Sequence, residues 1–340
     1  MKRMTFSLLF CFLFGVISFS QSVITIYHSS GELFAYTFED AVKKAPSGSI
    51  IYLPGGSFAT NEVNISKTLT IIGAGHFADS SSATGITQLT GNIILLKGAD
   101  NCSLQGFYLT GDIKVGTSNT NDSINNLMVK RCNVNLVQLG ADNIKPVSTN
   151  ATFEENIIRS TFHGAQSINC IARKCFFNGV ADQCVGTVFR NNVFFGTWYT
   201  STNFPFSNAC SLLIVENNIF YNTSVNTLAA SGQYFNNLSI NSSSKLNTSG
   251  ANNLITSADS IFVNPSSGAF SYGKDFHLKS YCKGKNAGTD NTDLGVYGSS
   301  EPFKDGGLPV NPHIYFKDIA PATNPNGTLT IKFGVRVQTR

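Results

Sequence analysis

The sequence predicts an all-β fold, a right-handed parallel β-helix in which the chain winds through stacked coils. Short segments rich in β-branched and aromatic residues recur about every twenty residues, separated by Asn and Gly, which is typical of a solenoid built from strands and turns. Leucine-rich repeats have a similar length, but this chain does not carry their regular leucine and helix pattern. We therefore interpret each repeat as one coil of a β-helix.

Six segments, which begin at residues 127, 151, 170, 187, 213 and 232, align without gaps. They read LMVKRCNV, ATFEENII, CIARKCFF, TVFRNNVF, LIVENNIF and GQYFNNLS. The third and eighth positions are almost all apolar, and we expect their side chains to point inward. One coil cannot bury its own apolar face, whereas coils stacked about 4.8 Å apart join these positions into a continuous core.

The sixth and fourth positions of the repeat predict a turn and an outward face. The sixth position carries Cys132, Asn156, Cys175, Asn192, Asn218 and Asn237. Asn tolerates the left-handed backbone region and can bond to the amides above and below, so this column predicts an asparagine ladder in a turn, with the two cysteines as buried structural substitutes. The fourth position carries Lys130, Glu154, Arg173, Arg190, Glu216 and Phe235, which we expect to form a solvated outward ladder.

The first twenty residues predict a secretory signal peptide, because Lys2 and Arg3 precede an apolar run that ends at Phe19. The run is too short to favour a membrane span, and nothing later approaches about eighteen uninterrupted apolar residues. We expect a mature chain that starts near Gln21 and is secreted to the extracellular space or the cell surface. No transmembrane segment is expected after signal cleavage.

The start of the mature chain predicts an element that covers the open first coil. Residues 37–45 have the capping residue, charge distribution and apolar spacing of a short amphipathic helix, and a strand and a Pro-Gly-Gly turn follow. Residues 38–58 and 65–75 resemble the opening of the pectate-lyase-like right-handed β-helix superfamily. The resemblance covers about residues 36–298. It implies the fold alone, because lyases, hydrolases, esterases, epimerases and non-catalytic proteins share it.

The end of the chain predicts a last coil and a hairpin. Residues 275–298 are similar to the last coil of secreted bacterial β-helix proteins, although residues 281–284 replace the Ser-Pro pair usual there. Residues 306–312 read as a linker. Leu329, Ile331, Phe333, Val335 and Val337 alternate with polar residues, as in a half-buried strand. The predicted organisation is a signal peptide at 1–20, a β-helix with its N-terminal cap at 21–298, and a linker with a C-terminal β-hairpin cap at 299–340.

Composition narrows the class of partner. Charged residues make up 13% of the chain, and the net charge of +4 falls to +2 once Lys2 and Arg3 are removed. Such a chain lacks the basic excess that binds a phosphate backbone, so we expect no nucleic-acid partner. Seven cysteines remain after signal cleavage without a C-x-x-C pair or a histidine at zinc-finger spacing, and we expect them to be small buried residues.

The catalytic sets known on this fold are not recognisable. A glycoside hydrolase needs two carboxylates, and the carboxylate and aspartate motifs of the superfamily's hydrolases and esterases are missing. A polysaccharide lyase needs a base and a group that neutralises the uronate carboxylate. Arg159, His163, Lys174 and Arg190 are the candidates for such a site, provided that they converge in one groove. We expect no metal or cofactor, and Ca²⁺ only if the protein is a lyase.

The longest interruption of the repeat, residues 196–206, carries Trp198, Tyr199, Phe204 and Phe206. Aromatic side chains on a loop pack against sugar rings, so these four are the candidate ligand-binding residues; the alternative is a loop folded over its own aromatic rings.

Three functions are compatible with these patterns. The favoured one is a non-catalytic β-helix that binds extracellular polysaccharide. The second is a divergent lyase acting on uronate-containing glycan, and the third is a structural or adhesive surface protein. Fold alone does not choose between them.

Overall fold

The structure, a computed structural model, describes residues 22–117, 122–140, 147–195, 205–207, 209–221, 231–240, 250–266, 268–310 and 312–337. The predicted signal peptide lies outside the described residues. In chain order the strands are β1 Ile24–His28, β2 Gly31–Ala35, β3 Ser49–Tyr52, β4 Gly56–Ile65, β5 Leu69–Ile72, β6 Thr87–Leu95, β7 Ser103–Gln105, β8 Tyr108–Leu109, β9 Ile113–Val115, β10 Met128–Lys130, β11 Asn133–Val134, β12 Val137–Gln138, β13 Thr152–Glu154, β14 Ile157–Ile158, β15 Phe162–His163, β16 Ile171–Arg173, β17 Phe176–Phe177, β18 Ala181–Asp182, β19 Val188–Arg190, β20 Val193–Phe195, β21 Ile214–Glu216, β22 Ile219–Tyr221, β23 Gln233–Phe235, β24 Leu238–Ser239, β25 Gly250–Ala251, β26 Leu254–Ile255, β27 Phe262–Asn264, β28 Asp275–Leu278, β29 His313–Ile319 and β30 Ile331–Arg336. Helix α1 spans Phe38–Lys44, and a 3-10 helix spans Ala258–Ser260.

Two long sheets contain most of these strands. Sheet 1 has twelve strands in the order β2-β1-β3-β5-β7-β10-β13-β16-β19-β21-β23-β25. Sheet 2 has fourteen strands and divides into two arms at β6, which pairs with both β8 and β9. The first arm runs from β8 to β26, and the second arm consists of β9, β12, β15 and β18. From β3 onward, neighbouring strands of sheet 1 pair in parallel. Strands of sheet 2 lie between these neighbours in the amino-acid sequence. The chain is therefore mostly β and winds as a solenoid with long parallel sheets, as predicted.

The register of the coils agrees with the gapless alignment of the six segments. In sheet 1 the third position stacks in the order Val129, Phe153, Ala172, Phe189, Val215 and Tyr234. In sheet 2 the eighth position stacks from Val134 to Ser239. All these side chains are buried, so the predicted inward columns are confirmed. Stacked rings fill the middle of the core, with Phe194 centred 4.7 Å from Phe177 and 5.2 Å from Phe220.

Helix α1 begins and ends as its sequence predicts. The Thr37 hydroxyl accepts the Asp40 backbone N–H at 3.1 Å, which satisfies one of the free donors of the first turn. Phe38, Ala41 and Val42 are buried and face the main core, by which we mean the apolar interior of the coils. An amphipathic helix thus packs on the apolar interior beside the first strands of sheet 1.

The asparagine ladder is confirmed, and it extends one coil further than the alignment. Asn218 Oδ1 accepts the Asn192 N–H at 2.8 Å, Asn237 Oδ1 accepts that of Asn218 at 3.0 Å, and Asn253 continues the series. The left-handed backbone lies one position earlier than we expected. The fifth positions, Arg131, Glu155, Lys174, Asn191, Asn217 and Asn236, have φ between 51° and 59°. The fifth residue makes the turn, which leaves the sixth side chain pointing inward to bond along the stack.

Residues 256–266 and 268–310, which we call the covering segment, pack on the outside of sheet 2. The seventh position of the repeat is apolar and outward in five coils, at Ile157, Phe176, Val193, Ile219 and Leu238. These side chains form a second core with residues of the covering segment, among them Phe262, Phe276 and Phe303. This arrangement differs from the last coil expected at residues 275–298, because the outer apolar column needs a layer over it.

The C-terminal hairpin also differs from its expected place. Strands β29 and β30 are antiparallel, and Ile314, Ile331, Phe333 and Val335 are exposed. The residues before the hairpin, expected to be a linker, are buried from Gly306 to Pro309 and reach Gly75 and Gly106 of the early coils. The covering segment thus runs back along the solenoid, and the hairpin starts beside an early coil rather than over the last one.

Candidate functional site

Two adjoining clefts lie along the turn between sheets 1 and 2, and we call them together the lateral groove. One cleft, of about 390 Å³, lies between Arg190 and Asn217 on the coils and Thr289 and Ser299 on the covering segment. The other, of about 350 Å³, lies beside Lys130, and both are lined by Arg173 and Glu301. The groove passes six strands of sheet 1, from β7 to β21, and is therefore about 24 Å long.

The charged residues of the fourth and fifth positions form a network on the floor of the lateral groove. The Glu154 carboxylate lies 3.3 Å from Lys130 Nζ, 2.9 Å from Arg173 Nη2 and 3.2 Å from Lys174 Nζ. Its side chain is 3% exposed, so the expected solvated ladder is wrong at this position. Burial by itself would raise the pKa of Glu154, but the three cations outweigh it and hold the pKa at about 2.

The covering segment is fastened to the coils by the same charged turn. Arg131 Nε donates to Glu155 Oε2 at 2.8 Å, and Arg131 Nη1 donates to the Leu308 carbonyl at 2.6 Å. The Lys304 backbone N–H donates to Glu155 Oε2 at 3.1 Å. Lys174 Nζ donates to the Glu301 carbonyl at 2.5 Å. Buried charges at left-handed positions are therefore satisfied by backbone groups about 150 residues away in the chain.

Replacing Glu154 by Gln is expected to destabilise the protein by about 3 kcal/mol at neutral pH, because three cations lose the anion between them. The native pKa of about 2 is below the ordinary 4.5, so the stabilisation is complete above pH 4.5 and is lost as the pH falls through about 2. Urea denaturation at a series of pH values measures this. The difference in the free energy of unfolding between the wild type and Glu154→Gln should narrow steadily below pH 4.5. A difference that stays constant with pH would contradict this role of Glu154.

The four catalytic candidates do not come together. Lys174 and Arg190 both line the lateral groove. Lys174 is nearly buried and is engaged by Glu154 and Glu301, whereas Arg190 forms an ion pair with Glu216 and its side chain is 54% exposed.

The other two candidates lie elsewhere on sheet 2. The Arg159 guanidinium is 4.6 Å from the Tyr108 ring centre and donates to the Asn133 side chain and the Leu109 carbonyl. His163 lies on the second arm, where its Nε2 is 3.4 Å from Asp182 Oδ2. The convergence that a lyase site built from all four residues requires is therefore not found.

Of the candidate ligand-binding aromatic residues, Trp198, Tyr199 and Phe204 lie outside the described residues. Phe206 is described, and its side chain is 1% exposed in the main core. Its ring is centred 5.1 Å from Phe189 and 5.3 Å from Phe194. Phe206 thus belongs to the apolar interior and packs on rings of the coils.

A second pocket, of about 290 Å³, lies between the covering segment and the loop after β5. His76 Nδ1 is 2.7 Å from Tyr272 Oη, and that oxygen accepts the Asn133 side-chain amide at 2.7 Å. Burial lowers the pKa of His76 to about 4, so the imidazole is neutral and shares a hydrogen bond with the Tyr272 hydroxyl. This chain of bonds gives His76 a structural role in its Gly-rich turn.

Sequence reasoning missed half of the lateral groove. Thr289 and Asp290 were assigned to a last coil and Ser299 to the region after it, although the outward apolar seventh position was a signal for a second layer. Among the described residues, no group of three or more His, Cys, Asp or Glu side chains is arranged to hold a metal ion.

Comparison with protein-family models gives no match, and a search of curated proteins gives none either. Among the described residues, no helix has the length and apolar character needed to cross a membrane.

Proposed function

We propose that the protein is a secreted or cell-surface, right-handed β-helix of the pectate-lyase-like class that binds an extracellular polysaccharide in the lateral groove without cleaving it. The signal-peptide pattern at residues 1–20 supports secretion, and the motifs at residues 38–58 and 65–75 support the class. The right hand is supported by the strong preference of parallel crossovers for it.

The shape and chemistry of the lateral groove carry this proposal. A linear polymer fits an open groove about 24 Å long better than a small molecule does. The positive and negative charges that line the groove nearly cancel. The cations are Lys130, Arg131, Arg173, Lys174, Arg190 and Lys304, and the anions are Glu154, Glu155, Glu216, Asp290 and Glu301. Such a lining suits a neutral or weakly acidic chain rich in hydroxyl groups and lacks the excess charge that nucleic acid requires.

Arg173 and Arg190 are the exposed cations among the described residues that line this groove. Their side chains are 44% and 54% exposed, and each guanidinium has donors left over after its ion pair with Glu154 or Glu216. Fork-shaped donors bond well to vicinal hydroxyls and to carboxylates.

Replacing both Arg173 and Arg190 by Ala is expected to weaken polysaccharide binding at least about tenfold, since each lost charge-assisted bond costs about 1.5–3 kcal/mol. Affinity electrophoresis through gels that contain single polysaccharides measures the dissociation constant. Arg336→Ala is the matched control, because Arg336 is exposed on the hairpin outside the groove. Equal retardation of all three proteins by the best ligand would overturn the assignment of the groove.

The lyase alternative is tested in the same samples. Cleavage by β-elimination creates an unsaturated product that absorbs ultraviolet light, so incubation of each polysaccharide with the protein, with and without Ca²⁺, should leave the absorbance unchanged. A rise that Lys174→Ala abolishes would replace the binding function by catalysis.

A further inference from the structure

Two buried thiols from neighbouring coils meet at the corner where the second arm of sheet 2 returns to sheet 1. The Cys184 backbone N–H donates to Cys210 Sγ at 3.3 Å, and the two thiols are themselves in hydrogen-bond contact. The Ser211 backbone N–H donates to the Cys184 carbonyl at 2.9 Å, and Val185 pairs with Ser211 in parallel register. Cys184 and Cys210 therefore occupy equivalent positions one coil apart.

We propose that Cys184 and Cys210 are an oxidisable pair that forms a disulfide between the two coils. Neighbouring parallel strands are about 4.7–4.9 Å apart, which lies within the range of about 4.4–6.8 Å that Cα atoms span across a disulfide. Both side chains point into the core, and the sulfur atoms already touch. The remaining cysteines of the described chain bond to backbone groups or to Asn156 instead.

The oxidation is a thiol–disulfide exchange with a small disulfide such as oxidised glutathione. One cysteine, as thiolate, attacks the oxidant and releases one thiol; the second cysteine, having lost its proton, then attacks the mixed disulfide and releases another. Two protein thiols are oxidised, and one disulfide is reduced to two thiols. Cys210 is the better first nucleophile, because the hydrogen bond from Cys184 lowers the pKa of its thiol, whereas burial raises that of Cys184.

The bond closes a ring that holds residues 185–209, which include the longest interruption of the repeat, residues 196–206. Both thiols are buried, so the exchange takes place before the two coils close on each other or during local opening. Once formed, the bond fixes together the coils on either side of the interruption. This makes it a redox-sensitive link between two neighbouring coils.

Non-reducing peptide mapping tests the pair directly. The mature protein is unfolded, refolded with oxidised and reduced glutathione, alkylated and digested with trypsin. Cleavage after Lys174, Arg190 and Lys245 gives peptide 175–190, with Cys175 and Cys184, and peptide 191–245, with Cys210 as its only cysteine. We expect these two peptides to be linked in the wild type, and five rather than seven thiols to react in denaturant.

Two variants identify the sulfur within peptide 175–190. Cys175→Ala should keep the cross-link, and Cys184→Ala should abolish it. Reduction of the wild type should also lower Tm by on the order of 5 °C. Seven reactive thiols with separate peptides in the wild type would overturn the proposal without any variant, and so would a link that survives Cys184→Ala.

Discussion

Replacing Asn218 by Ala is expected to cost about 3–5 kcal/mol of stability, because its side chain bonds to both neighbouring coils. Asn218 Oδ1 accepts the backbone and side-chain N–H groups of Asn192 at 2.8 and 3.0 Å, and its amide donates to the Phe189 carbonyl at 2.9 Å. The side chain is fully buried. Alanine leaves these groups without partners, and each costs about 1–3 kcal/mol in the interior.

Urea denaturation followed by circular dichroism measures this loss. Asn125→Ala is the control, because Asn125 is exposed and bonds to the Asp100 carboxylate across coils, so its loss should cost less than about 1 kcal/mol. Equal losses for the two variants would show that the ladder does not stabilise the stack.

Replacing Phe176 by Ala is expected to release the covering segment as well as to destabilise the fold. The Phe176 ring is centred 4.8 Å from Phe270 and 5.2 Å from both Phe276 and Phe303, so it joins sheet 2 to three rings of the layer over it. Truncation of such a buried ring costs about 3–5 kcal/mol. Most of this loss weakens the contact between sheet 2 and the covering segment, so the covering segment should detach.

Hydrogen exchange distinguishes release of the layer from general destabilisation. Phe176→Ala should raise exchange over residues 270–303 more than in the coils. The adjacent Phe177 points into the main core, so Phe177→Ala is a control of the same size that should lack this local effect. The same exchange pattern in both variants would contradict the layered arrangement.

The coils were predictable because their information is local and repeated. The apolar third and eighth columns and the Asn column each follow from what a stacked strand or turn requires, and the register from Val129 to Tyr234 agrees with the alignment. The left-handed turn position was assigned one residue too late, since charged residues such as Arg131 and Glu155 seldom occupy that backbone region.

The site was less predictable, because half of it comes from a distant part of the chain. The seventh column, with Phe176 and Ile219, predicts that some layer covers sheet 2, but no local pattern says which residues supply it. Pairing of Glu155 with the Lys304 backbone depends on that layer. The charged fourth column therefore looked like a solvated ladder when read alone, whereas it is one wall and part of the floor of a groove.

The dependence of affinity on ligand length tests most directly whether a linear polysaccharide lies along the lateral groove. Oligosaccharides of increasing length, cut from the polysaccharide that is retarded most, are titrated calorimetrically into the wild type and the Arg173→Ala/Arg190→Ala variant. Affinity for the wild type should rise with length until about 24 Å is filled and then level off, and the variant should lose most of this rise. A single sugar unit that binds as tightly as the longest chain, equally to both proteins, would contradict the account.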